Sequence, residues 1–553
     1  MPEEEFNLLY EPWILVMKPD GKTDEVNLLD LFRRAPEFKG LAGELPTQDV
    51  AVLRLLLAVL HAVFGRYDPD GNLYPIKSPG DALERWKSLW DRGAFPMKII
   101  EDYLKHFEER FYLFHPKRPF YQVAFTGPVR DAQGTQIKPT EKGAGSFIGD
   151  IAQSEHQIRL FSGRTQNDSV SYSEAARWLV YTNSFDVAPG GNPGRNGICI
   201  KGYGLAWLSK LGLVWAVGSN LFETLMLNFV LATKEKIWTG DQNAYWEQDG
   251  ICEAKDLLDI MPTFPKTPCE LLTTQFRRIQ LVRDSERKRV TKYLLWSGQS
   301  LETKDAFMEH MTLWKKTDDG YVPKMHDPSR QIWRDFSAIL SGASGKNPSP
   351  GIVNWIAWLK NNNLLQLPII QLNTVGVDYK QNTAIINVFS DSLHVNLSLL
   401  SALGEDWVNL IINEIDTTDK LVEQAGRLAQ NLAKAAGDRD GSDQKSAAKE
   451  QAYFRLDAPF RRWLEEINPE RDNDRKSEVC NEWWEQAKRI VRRLGRELVE
   501  QSGPRAFVGR MLTENKRENR YTAPEAYNRF LYFTSSRDAL KGGGKNDRRS
   551  KTG

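Results

Sequence analysis

Cysteine is scarce: four in 553 residues, Cys199, Cys252, Cys269 and Cys480, with no pair at CxxC spacing. That spacing excludes a zinc knuckle and a thioredoxin-type redox site. Sparse, unpatterned cysteine fits a reducing cytoplasm. Cys199 reads as a small hydrophobe packed beneath its loop. Histidine is scarce as well, seven in all, and none stands at HExxH spacing. The Glu309-His310 dipeptide, expected in a helix, is isolated from any such pattern. A bound catalytic metal needs several ligands in a recognisable geometry, so no metal or cofactor is expected. There is no GxSxG nucleophile elbow, and no carboxylate pair stands out as an acid–base couple. Long apolar runs are missing too. The most apolar stretch, residues 50–64, is interrupted by Arg54 and His61. It is too short to span a bilayer and reads as a buried helix, so no membrane partner is expected. The opening MPEEEFNLLYEPW does not have the shape of a signal peptide. Neither sign of charge prevails: 74 Lys and Arg face 73 Asp and Glu. That balance argues against wholesale coating of a nucleic acid and leaves local patches open.

What is present is an ordinary globular composition, 41% hydrophobic and 27% charged, with 17 tryptophans for large cores or contact surfaces. Residues 6–17 read as a strand interrupted at Pro12, and 27–32 as a short helix. Thr47 reads as the N-cap of a helix through residue 63, with Gly65 as its stop. Residues 81–91 and 96–111 read as two more helices, 124–158 as a long irregular region, and 173–181 as a short helix. Residues 213–230 mix helix and strand character. Alternating patterns predict strand pairs at 277–284 with 288–296 and at 369–377 with 383–389. Beyond residue 402 the pattern turns helical over 405–436, 446–467, 474–501 and 523–540. The expected fold class is α+β. A large mixed domain over 1–402 precedes a four-helix bundle over 403–540 and a disordered basic tail over 541–553. From residue 505 onward, twelve Lys or Arg face five Asp or Glu.

The most informative segment is APGGNPGRNGICIKGYG, residues 188–204. Glycine lets a backbone turn freely and lets another molecule approach the main chain closely. Arg195 and Lys201 add positive charge. The segment has neither P-loop nor dinucleotide-loop spacing, and it reads as a polyanion surface or as a connector with tight turns. In IRLFSGRTQNDS, residues 158–169, Phe161 lies between Arg159 and Arg164. Such an aromatic can stack on a base or wedge into a groove, or simply end a buried strand.

Several segments together resemble the CasA family, the large subunit of the type I-E CRISPR surveillance complex, Cascade. FNLLYEPWI near the start resembles the family's NLL–x–x–x–W–I opening. RPFYQV, residues 118–123, resembles its His/Arg-Pro-Phe-x-Gln motif, and KPTEK, residues 138–142, resembles its Thr-Pro-x-Glu-Lys with Pro and Thr reordered. Ala188-Pro189-Gly190 matches the start of its glycine loop, and the terminal helices match its four-helix bundle.

The resemblance implies a subunit without a catalytic centre. It would read the PAM of invading double-stranded DNA from the minor groove and help open the duplex. It would then stabilise the R-loop and recruit the helicase–nuclease, while guide RNA reads the target. Its partners would be the DNA, the guide RNA and the other Cascade subunits, with the isolated chain a monomer. The glycine loop maps to Gly190, Gly191, Asn192, Pro193 and Gly194, with Arg195 beside it. Backbone without Cβ atoms suits a narrow groove whose donor and acceptor pattern is degenerate. The docking loop maps to Phe161 and Arg164, and the minor-groove lysine to Lys304, or to Lys292. The family's Asn-Gln wedge maps to Asn347, with Pro348 or Ser349 standing where Gln is expected. Proline is itself a wedge residue in kinked DNA. Two other readings remain open at the level of sequence: a stand-alone metal-dependent nucleic-acid-processing enzyme, and a scaffold protein without DNA contact.

Overall fold

The computed structural model describes residues 5–129, 136, 138–147, 169–185, 205–233, 237, 242–249, 265–298, 301, 308–318, 320–340, 347–380, 384–514 and 517–542. The chain divides into two compact units. One comprises Met1–Ile332, Lys346–Gln366 and Ile370–Ser392; the other comprises Trp333–Gly345, Leu367–Ile369 and Leu393–Gly553.

The first unit is mixed. Its helices are α1 (Leu28–Arg33), α2 (Pro46–Phe64), α3 (Pro79–Trp90), α4 (Met97–His106), α5 (Tyr172–Phe185), α6 (Leu221–Asn228) and α7 (Pro268–Thr273). After α8 (Phe336–Ile339), which belongs to the second unit, comes α9 (Gly351–Asn361). At its centre lies α2, against which α4, α5, α6 and α7 pack. By length and composition α2 could cross a membrane, so the brevity expected from sequence does not hold. Its burial does: 94% of its apolar window is inside the protein. Nor is Thr47 the cap. The helix begins at Pro46, where proline's preset φ and missing N–H fit a first turn, and Thr47 is buried inside it. Gln48 and Asp49 reach back instead, their side-chain oxygens accepting from the backbone N–H of Glu44 and Gly43 at 3.1 and 2.6 Å. Gly65 follows as the expected stop.

Small antiparallel sheets surround the helices. β1 (Glu5–Asn7) pairs with β5 (Tyr112–Phe114); β2 (Ile14–Met17) lies between β3 (Thr23–Val26) and β4 (Gly40–Leu41). β9 (Val290–Ser297) lies between β6 (Thr140–Gly143) and β8 (Arg277–Arg283), so the expected 277–296 hairpin forms with a third strand on its open edge. β7 (Leu213–Val217) joins β12 (Ile369–Lys380) and β13 (Ala384–Asn396) in a sheet of order β13-β12-β7, and β10 (Leu313–Thr317) pairs with β11 (Gly320–Lys324).

In the second unit α10 (Glu405–Ala436) packs against α11 (Ser442–Glu466), α12 (Lys476–Gln501), α13 (Gly503–Val508) and α14 (Ala523–Phe533). Its inward face carries Ile411, Ile415, Thr418, Leu421, Ala425, Leu428 and Leu432, at the three- and four-residue steps an amphipathic helix requires. Aromatic rings lock the centre. Phe460 stacks on Trp333 at 4.3 Å, and the Trp483 indole donates to Thr418 Oγ1 at 3.0 Å. Two features depart from the sequence pattern. A hairpin, β14 (Arg510–Glu514) with β15 (Arg517–Tyr521), precedes α14. The expected 523–540 helix breaks after Phe533, where the Thr534 hydroxyl turns back to the Phe530 carbonyl, and resumes as α15 (Arg537–Gly542).

Candidate nucleic-acid interface

Of the residues singled out in the sequence, Gly190, Gly191, Asn192, Pro193, Gly194, Arg195, Phe161, Arg164 and Lys304 lie outside the described residues, as does the 543–553 tail. The chain on either side of these segments is defined, and so is the turn at Asn347, Pro348 and Ser349.

The chain enters the glycine segment from α5, buried along most of its length. It emerges through Trp207, whose indole lies 1% exposed. The Trp207 Nε1–H donates to Glu309 Oε2 at 2.9 Å. Glu309 also accepts a bidentate pair from Arg54 on α2, Nη1 to Oε1 at 2.7 Å and Nη2 to Oε2 at 2.9 Å. The Met311 backbone N–H donates to Oε1 at 3.1 Å. Both carboxylate oxygens are thus filled, as a charge this deep demands. The next residue, His310, is not in a helix as expected but in the turn leading to β10. Its carbonyl accepts from Ile352 N at 3.0 Å. At Gly351, the first residue of α9, a Cβ would lie 2.9 Å from the His310 Cα, so only glycine fits there without displacement. Residues 309–311, in the stem after residue 307, therefore join three other parts of the chain: α2, the far stem of the glycine segment and the start of α9.

Electrostatics keep this junction in one protonation state. Burial pushes the Glu309 carboxyl up, but Arg54, Trp207 and the Met311 N–H outweigh it and hold it below the ordinary range. On α2, burial and then the charge of His310 lower His61 to about 3, so its imidazole is neutral at physiological pH. The His61 ring meets Phe229 edge-on, 4.7 Å between centroids.

A family model for the CRISPR-associated protein Cse1 matches residues 7–494. The chain belongs to the Cse1 family. CasA/Cse1 of Thermus thermophilus is 27% identical, the match covering 92% of this chain and 98% of that protein. The solved structure of Thermobifida fusca Cse1 is 29% identical with a TM-score of 0.78, over 97% of this chain and 98% of that one. A chain from a CRISPR RNA-guided surveillance complex shares the fold at 18% identity, with a TM-score of 0.61 over 90% of this chain and 100% of that one.

In this Cse1 chain the turn before α9 is tethered. Asn347 Oδ1 accepts from Lys316 N on β10 at 3.0 Å, Ser349 is buried, and the Asn354 side chain donates to the Ser349 carbonyl at 3.2 Å. Asn347 and Pro348 are half-buried. Lys292, the other candidate lysine, sits on β9 and pairs with Glu141 at 2.9 Å.

Two of the segments that carried the Cse1 resemblance hold internal locks. Leu8, Leu9 and Trp13 are fully buried, and the Trp13 indole donates to the Leu8 carbonyl at 3.1 Å. Gln122 of RPFYQV donates to the Leu113 carbonyl at 2.7 Å and accepts from Leu281 N at 2.8 Å, tying β5 to β8. Among the described residues, no cluster of three or more His, Cys, Asp or Glu could hold a metal. Burial pushes the Cys480 thiol up to about 11, and Cys269 donates to the Ala58 carbonyl at 3.2 Å.

Proposed function

We propose that this Cse1 chain is the PAM-reading subunit of an RNA-guided surveillance complex in the cytoplasm. It inserts Gly190, Gly191, Asn192, Pro193, Gly194 and Arg195 into the minor groove of double-stranded DNA, with Lys304 beside them. The turn at Asn347 and Pro348 separates the first base step, its steric wedging replacing an Asn-Gln pair, while Ser349 is buried. The C-terminal helices form a four-helix bundle whose basic helices follow separated strands, and the subunit recruits the helicase–nuclease. Phe161 and Arg164 dock the subunit on the guide-RNA complex. The chain itself has no catalytic role.

The observation that carries this reading is the junction at Glu309-His310. Trp207, residues 309–311 and the start of α9, the described chain nearest in sequence to three segments proposed to contact DNA, meet at one buried knot. A connector loop would need no such anchoring. Minor-groove reading through backbone also suits PAM recognition that tolerates several sequences, because that groove distinguishes base pairs poorly.

The test is a gel shift of the reconstituted complex on duplexes differing only in the PAM, with and without this chain. Gly190→Phe or Gly194→Phe is expected to lower PAM-dependent binding by at least about tenfold at matched salt. Unchanged binding would refute the loop assignment. The purified chain is expected to leave DNA intact in the presence of divalent ions; cleavage would favour a metal-dependent enzyme.

A further inference from the structure

We propose that Arg54, Glu309 and Trp207 form a positioning group that sets PAM discrimination without touching DNA. The proposal rests on the reading of residues 190–195 and 347–348 as DNA contacts. Stability alone does not account for the group. Arg54 and Glu309 are 3% and 2% exposed. A buried ion pair is commonly no more stabilising than apolar side chains of the same volume. What it supplies is direction: a planar guanidinium on a carboxylate fixes distance and angle together.

Here that direction falls on the bases of the reading segments. Trp207, three residues past Gly204, hangs on Glu309 Oε2. Glu309 follows Lys304 by five residues and is held by α2 through Arg54. His310 carries the start of α9, two residues past Ser349, through the Ile352 N–H and the close approach of Gly351. A rotation of the Glu309 carboxylate would shift Trp207 relative to Arg54 on α2, while the adjoining His310 backbone holds the start of α9. Discriminating base pairs that differ by a single minor-groove group demands placement within about 0.5 Å.

The test uses the assembled complex and two ligands: duplexes with matching and mismatching PAM, and a single strand complementary to the guide, which needs no PAM. Glu309→Gln turns one acceptor oxygen into a donor facing Arg54. Trp207→Phe keeps an aromatic ring but removes the N–H together with part of the buried indole, so Trp207→Leu, which also lacks the N–H, is measured beside it. Arg54→Lys keeps the charge and removes the fork. Each is expected to lower the matching-to-mismatching affinity ratio about tenfold and to leave single-strand binding and subunit stoichiometry unchanged. If Glu309→Gln fails to assemble, the two Trp207 variants carry the test alone. An unchanged ratio in both Trp207 variants, or an equal fall for both ligands, overturns the proposal. Gly190→Phe, measured in parallel, separates the two claims. Discrimination lost there but retained in the other variants rejects the positioning role alone. Discrimination retained in all of them rejects the DNA-contact reading beneath it.

Discussion

Arg54 and His61 both interrupt the apolar face of a helix otherwise built from Val, Leu and Ala. A charge inside an apolar run signals a partner, since an unpaired buried charge costs several kcal/mol. The partner, Glu309, is 255 residues away and cannot be read from the sequence around Arg54. Arg54→Met is expected to destabilise the chain by about 3–5 kcal/mol in urea denaturation, because it strands the Glu309 carboxylate. The double variant Arg54→Met with Glu309→Leu should recover only part of that loss, because Leu leaves the Trp207 and Met311 N–H donors without an acceptor; no recovery at all would contradict the stranded charge as its cause. His61 makes the opposite kind of demand. Unfolded, it protonates near 6.5; folded, it resists to about 3. The unfolded state therefore binds more protons between those values. The contribution of His61 is intact above pH 6.5 and is lost progressively as the pH falls toward 3. His61→Leu should lessen the acid sensitivity in that window, and an unaltered pH profile of unfolding would contradict the buried neutral imidazole.

Among elements, those with strong periodicity were legible: the 277–296 strand pair, the strands at 369–380 and 384–396, and the long terminal helices all lie where alternation or three- and four-residue steps placed them. Errors fall where a non-periodic contact decides. The start of α2 is set by Pro46 rather than by a Thr47 cap, and the hairpin at 510–521 has no strong alternation to reveal it. Helix packing in the second unit shows the same limit. Gly426 and Gly495 look alike in sequence, each well inside a helix. A Cβ at Gly495 would overlap the Phe530 ring of α14, while one at Gly426 meets the flexible side chains of Lys445 and Lys449. Gly495→Val should therefore destabilise this unit by about 1–3 kcal/mol through overpacking. Gly426→Ala should be neutral or stabilising by up to about 1 kcal/mol, from its helix propensity. Thermal unfolding of the two variants checks the contrast; equal effects would contradict this packing.

For the whole molecule, net charge near zero removes long-range attraction as a source of the proposed DNA affinity and leaves local patches to supply it. Duplex binding by the assembled complex should nonetheless weaken steeply with salt, and more steeply with this chain present than without it. Equal slopes would argue against backbone contacts from its basic terminal region. Phe161→Ala should reduce co-purification with the guide-RNA subunits; full retention would count against the docking loop. The family itself was legible from FNLLYEPWI, RPFYQV and the Ala-Pro-Gly start, and the first two hold buried locks at Trp13 and Gln122. By itself, then, the sequence determined the α+β class, the helical C-terminal part and the family, because these follow from local periodicity and short motifs. Only the tertiary structure decided that Trp207, Glu309, Arg54 and Gly351 meet, and that Trp333–Gly345 joins the C-terminal helices. Such meetings depend on contacts between residues far apart in the chain, and no local pattern encodes them.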